Sequence, residues 1–196
     1  MFKLTGIGAG IVLAGWFSSD APKMPPEEAH FCSVLEAADE AYEPMRKQWY
    51  AEENGLAQDK IGSQLDRMVD ARNVEILKIF GGSNPHIAGW TVQLTEIDTT
   101  DLDRDGVTAR YIKIAGKFPC KLPVTFTARA LPTTYADFLG NKKIGDYIAI
   151  TATLVSHDIG ANPPQKAIEW SGFQGGSMAE PEYRLSVEQM NDYTAE

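Results

Sequence analysis

Histidine and cysteine are scarce in this chain of 196 residues, three of one and two of the other, and that scarcity narrows the available chemistry at once. His30 and Cys32 stand two apart on a predicted helix, hence on different faces. No second Cys/His pair lies near them in sequence, so no zinc site is expected. A nucleophile needs a base within hydrogen-bond reach. No serine or cysteine sits in an elbow-like setting with His30, His86 or His157 as its partner, so the chain is expected to be no enzyme and to need no cofactor. Positive charge is also short. Eighteen bases against 27 acids leave a net charge of −9, which argues against general binding along a phosphate backbone.

Long apolar runs are missing except at the start. Met1-Phe2-Lys3 precedes the 14-residue run Leu4 to Phe17, the charge and hydropathy order of an export signal. Ser19-Asp20-Ala21 has small residues at the cleavage spacing but is followed by Pro22, so an uncleaved membrane anchor stands beside a cleaved signal as a reading of residues 1–20. The run is short of the roughly 20 residues that span a bilayer without thinning it. Gly6-Ile7-Gly8-Ala9-Gly10 has glycine spacing like that of a dinucleotide-binding turn, but no βαβ unit follows and the reading is discarded.

Residues 21–26 form a Pro-rich spacer, and residues 27–82 a helical segment. Phe31, Val34, Leu35, Ala38 and Tyr42 recur at helical spacing from Glu27; Pro44 is expected to interrupt that helix, with a kinked continuation over Met45–Glu53 as a further reading and Asn54-Gly55 as a stop. A second helix is predicted from Asp59 to Phe80, with Ile61, Leu65, Met68, Val69, Ile76, Leu77 and Phe80 on one stripe and Gly81-Gly82 as its exit. Each has an apolar face to cover. A sheet beside them is the natural partner.

From residue 83 to 190 the period changes from helical to alternating. Trp90, Val92 and Leu94 face away from Thr91, Gln93 and Thr95, with a change of phase near Ile97. Asp103-Arg104-Asp105-Gly106 then makes a hairpin turn into Val107–Gly116. The spacing Asp101-x-Asp103-x-Asp105-Gly106 also resembles a calcium loop, but its twelfth position is Ile112 rather than a bidentate glutamate, and the hairpin reading is kept; no metal is expected. Strands follow at 124–131, 147–156 and 167–170, with one or two helical turns near Tyr135–Leu139. Tyr183 to Met190 alternates as a last strand, and 191–196 is a tail. The fold class is α+β: a five- to six-stranded antiparallel barrel of OB type carrying an N-terminal amphipathic helical segment.

Charge is unevenly spread. Residues 104–143 hold eight bases against two acids, whereas residues 27–80 hold twelve acids against six bases. Between Val107 and Leu131 stand Arg110, Lys113, Lys117, Lys121 and Arg129 with no acid among them. Strands two and three are the usual ligand face of such a barrel. Arg110, Tyr111, Lys113, Lys117, Lys121 and Arg129 are therefore the candidate ligand-binding residues, for an anionic ligand or a protein. Tyr111 and Phe118 beside these bases would also suit single-stranded nucleic acid by stacking, a reading the overall charge disfavours. The two cysteines, Cys32 and Cys120, are a candidate disulfide in an exported chain, with two unpaired thiols as the alternative.

Trp90-x-Val92, the Asp103–Gly106 hairpin, Leu139…Gly145-Asp146-Tyr147-Ile148 and Gly176-Ser177-Met178-Ala179-Glu180-Pro181-Glu182-Tyr183 together resemble bacterial exported or membrane-anchored OB-fold proteins, similar to the tRNA-anticodon-like OB class and mostly of unknown function. The resemblance implies an exported or membrane-anchored protein; the function expected of the chain is that of a non-enzymatic binding module of the cell envelope, extracytoplasmic, either held at the membrane by its N-terminal segment or released from it into the periplasm. The resemblance supplies no catalytic residues.

Overall fold

The computed structural model describes residues 22–82, 85–104, 107–131, 133–155 and 178–194. The apolar run at residues 4–17, the turn at Asp105-Gly106 and the predicted strand Ala167–Trp170 lie outside the described residues. None of the helices described is long and apolar enough to cross a membrane.

Helix α1 spans Pro26–Ala51 and α2 spans Gly55–Ile79. Pro26 opens α1 where a missing N–H costs nothing, and Glu27 and Glu28 follow in the first turn. Pro44 does not break the helix as expected. It is exposed, as is Glu40, whose carbonyl loses its partner to the proline ring, so water can take the freed acceptor. Asn54 starts α2 rather than merely ending α1: its side-chain oxygen accepts from the N–H groups of Leu56 and Ala57. At the far end Gly81 and Gly82, both at positive φ, carry the chain out, with the Gly82 N–H returned to the Leu77 carbonyl at 2.7 Å.

Five strands follow: β1 His86–Arg104, β2 Val107–Lys117, β3 Thr125–Leu131, β4 Tyr147–Leu154 and β5 Glu182–Asp192. A 3-10 turn, Thr133–Tyr135, and the short helix α3, Ala136–Gly140, lie between β3 and β4. The strands close into a barrel in the order β1-β2-β3-β5-β4. The barrel is mixed rather than antiparallel throughout. Four neighbouring pairs are antiparallel, but β3 and β5 run parallel from Thr125↔Glu182 to Ala128↔Leu185. Parity requires it: direction cannot alternate around a closed ring with an odd number of strands, so a five-stranded barrel must contain a parallel pair. The β5 strand also runs to Asp192, so residues 191 and 192 belong to the sheet.

Alternation sends Trp90, Val92, Leu94, Ile114, Phe126, Ile148, Ile150 and Leu185 inward. The phase change in β1 appears as a register shift between Leu94 and Glu96. Gly116 admits no side chain, because a Cβ there would stand 2.6 Å from the Gln93 carbonyl oxygen and from the Phe126 ring. The helices close one end of the barrel. Phe31 of α1 packs against Phe80, Trp90, Phe118 and Tyr183 with ring centroids 5.2 to 5.6 Å away, so helix and barrel share one core. A disulfide joins Cys32 of α1 to Cys120, in the loop after β2, with 5.1 Å between the Cα atoms.

Candidate functional site

The candidate bases are separated by the same alternation that builds the core. Ile112, Ile114 and Gly116 point into the barrel, so Tyr111, Lys113 and Lys117 point away from it. Arg110 shares the parity of Ile112. From Arg110 to Lys117 the strand runs about 24 Å, so the six residues form no single cluster. Lys113 is held by the Glu96 carboxylate across the β1–β2 ladder. Lys121 lies at the helix-capped end, where its ammonium pairs with Glu36 at 3.2 Å and its backbone N–H donates to the same carboxylate. Lys117 is exposed, Tyr111 is half-buried, and the Arg129 side chain lies outside the described residues.

Arg110 stands at the opposite end of the barrel from the α1–α2 cap. There β1 and β2 extend past the other strands, and α3 crosses opposite them. Between them lies a cavity of about 420 Å³. Ile97, Ile112 and Leu139 give it an apolar floor, Ala136 and Gly140 of α3 form the facing wall, and Arg110, Asp98 and Thr133 supply polar groups. The Asp98 carboxylate accepts the Thr99 N–H at 2.7 Å. A largely apolar hollow with a few polar groups is the usual form of a small-ligand site, and this one is within the usual size range.

A second, more polar cavity of about 300 Å³ lies where residues 22–25 cross the barrel wall beside Gly89, Thr91 and Tyr193. The crossing is pinned at Lys23, which bonds on both sides of its backbone: the Thr91 hydroxyl donates to the Lys23 carbonyl at 3.1 Å, and the Lys23 N–H donates to the Tyr193 hydroxyl at 2.7 Å. Beside it Glu28 is wholly buried, and its carboxyl accepts the Thr91 N–H at 2.8 Å. Burial pushes that carboxyl up to about 8, with the Thr91 hydrogen bond opposing the shift. Glu28 passed unnoticed in the sequence because an acid in a first helical turn ordinarily faces water. Only its position three residues before Phe31, on the face that enters the core, hinted at burial.

Among the described residues no group of His, Cys, Asp and Glu is arranged to hold a metal ion. No family model, no curated protein and no solved structure matches the chain.

Proposed function

We propose that the chain is a non-enzymatic OB-type binding module of the cell envelope that takes an amphipathic anion in the cavity between the β1–β2 extension and α3. The observation that carries this reading is the largely apolar hollow of about 420 Å³ with Arg110 in its lining. An anion with an apolar body would place its body over Ile97, Ile112 and Leu139 and its charge at Arg110. Five strands in closed order with one short helix between the third and fourth support the OB type. The Cys32–Cys120 bridge supports an oxidising, extracytoplasmic compartment, and the apolar run at residues 4–17 supports delivery to it or retention at the membrane. Single-stranded nucleic acid is the weaker reading. Lys113 and Lys121 are engaged by Glu96 and Glu36, which leaves less positive charge on this surface to track a phosphate backbone.

A fluorescent amphipathic carboxylate, 11-(dansylamino)undecanoate, tests the reading by titration. Saturable binding is expected, abolished by Ala136→Trp, which fills the cavity from an exposed position of α3. Arg110→Glu is expected to weaken it at least about tenfold, the scale of one lost charge-assisted hydrogen bond. Equal binding by the Ala136→Trp variant would rule the cavity out. Retention on oligo-dT that falls steeply with salt would favour the nucleic-acid reading instead.

A further inference from the structure

Lys23 is where the N-terminal segment meets the barrel wall, held through its carbonyl by Thr91 and through its N–H by Tyr193. Five residues separate it from Phe17, the end of the apolar run. Fully extended, they carry that end no more than about 20 Å from Lys23. With the run retained in a membrane, so short a tether turns the side of the barrel that carries Lys23 toward the lipid.

That side has a composition suited to a lipid surface. Asp192, the last residue of β5, and Tyr193 after it lead from Lys23 to the turn between α3 and β4: the Asp192 carboxylate pairs with the Lys142 ammonium, and the Tyr193 ring stands 6.0 Å from that of Tyr147. Within the turn Ile144 is 60% exposed. Its backbone is nevertheless fixed. The Lys143 N–H donates to the Asp146 carboxylate at 2.8 Å, the Gly145 N–H to the Leu94 carbonyl at 2.8 Å, and the Leu94 N–H to the Asp146 carbonyl at 2.9 Å. A turn tied down on both sides of an isoleucine holds that side chain outward. Lys23 and Lys143 are exposed beside it, while Asp192 is engaged by Lys142 and Asp146 by the Lys143 backbone. Lysine and tyrosine suit the headgroup level of a bilayer, and isoleucine the acyl boundary beneath it.

We propose that the barrel rests on the membrane through the face formed by Lys23, Lys143, Ile144, Tyr147 and Tyr193, with Ile144 at the acyl boundary and the two lysines among anionic headgroups. The proposal rests on the reading of residues 4–17 as a retained membrane segment and is independent of the cavity beside α3. One isoleucine and two lysines would not hold a free protein at a bilayer. On a tether of five residues the contact is intramolecular, and its high effective concentration lets a weak contact persist.

The full chain in vesicles of phosphatidylethanolamine and phosphatidylglycerol tests the proposal, with a nitroxide on Ile144→Cys or, for reference, on Leu56→Cys. The native cysteines are joined to each other, so each variant carries one free thiol. Leu56 is 84% exposed and lies past the far end of α1, whose 26 residues run about 39 Å from Pro26. Collisions with oxygen, which concentrates in lipid, and with a water-soluble nickel chelate report depth. The ratio of oxygen to nickel collisions is expected to be severalfold higher at 144 than at 56, and to fall toward the reference when Lys23→Glu and Lys143→Glu are added. Equal ratios at the two positions, or a label at 144 shielded from both reagents as by a second copy of the chain, would overturn the proposal and leave membrane retention standing. A chain that fails to float with the vesicles would overturn both.

Discussion

The backbone N–H of Thr91 donates to the carboxyl of Glu28, joining the first turn of α1 to the first strand of the barrel at 2.8 Å, inside a region with no exposed Glu28 surface. The contact sits next to a register shift between Ile87 and Trp90, where Gly89 takes a φ of 66° that other residues rarely adopt. With its carboxyl raised to about 8 from an ordinary 4.5, the folded protein holds a proton that the unfolded chain releases. Stability is therefore full below about pH 4.5, falls as pH rises through the window to about 8, and is lowest above it. Urea midpoints across this range should show the decline, at up to about 1.4 kcal/mol per pH unit, and Glu28→Gln should remove it while keeping the acceptor for Thr91. An identical slope in the variant would show that Glu28 is not its source.

The Cys32–Cys120 bridge closes a loop with a sequence separation of 88, long enough for a large entropic effect on the unfolded chain. Reduction, or replacement of both cysteines by alanine, is expected to cost roughly 4–5 kcal/mol in the chain-entropy model. Denaturant unfolding with and without reductant measures it. The Lys121–Glu36 contacts beside the bridge should hold the loop near α1 in the reduced protein, so the far-ultraviolet spectrum of the folded state should not change.

Phe31 is the residue through which α1 is anchored in the barrel. Phe31→Ala is expected to cost about 3–5 kcal/mol by leaving a cavity among four aromatic rings, whereas Ser33→Ala, two residues along on the exposed side, should stay within about 0.5 kcal/mol. Calorimetric unfolding of the two variants separates anchoring from helix propensity. Similar losses in both would contradict it.

Alternation makes a further division among the bases. Arg110→Glu should weaken ligand capture, and Lys117→Glu, on the outer face of the same strand, should leave it unchanged. Lys113→Glu should change stability by no more than about 1 kcal/mol, since its bond to Glu96 is partly exposed. Parallel titrations of the three variants check this, and an equal loss in all three would restore the outer surface of β2 as the site.

Much of the fold was legible where local pattern and burial coincide. The alternation of Ile148, Ile150, Ala152 and Leu154 marks β4 because one face of a barrel strand is core along its whole length. What depends on closure was not legible. Local periodicity carries no information on which strand β5 meets, so the parallel β3–β5 pair could come only from counting strands around a ring. Pro44 misled because its cost depends on whether the freed carbonyl reaches water, a tertiary property. The site was half legible: Arg110 was named from its charge, but the hollow beside it exists only because α3 crosses opposite a β-arm, and Ile97 and Leu139 look like ordinary core residues in the sequence.

The most direct measurement of the central claim is the set of backbone amide shifts during titration with 11-(dansylamino)undecanoate, followed by two-dimensional nitrogen–proton spectra. Binding between the β1–β2 extension and α3 predicts the largest shifts at Ile97, Thr99, Arg110, Ile112, Leu139 and Gly140, with Lys23, Gly89 and Thr91 at the second cavity unmoved. Shifts concentrated at Lys23, Gly89 and Thr91, or confined to Lys113 and Lys117 on the outer face, would contradict it.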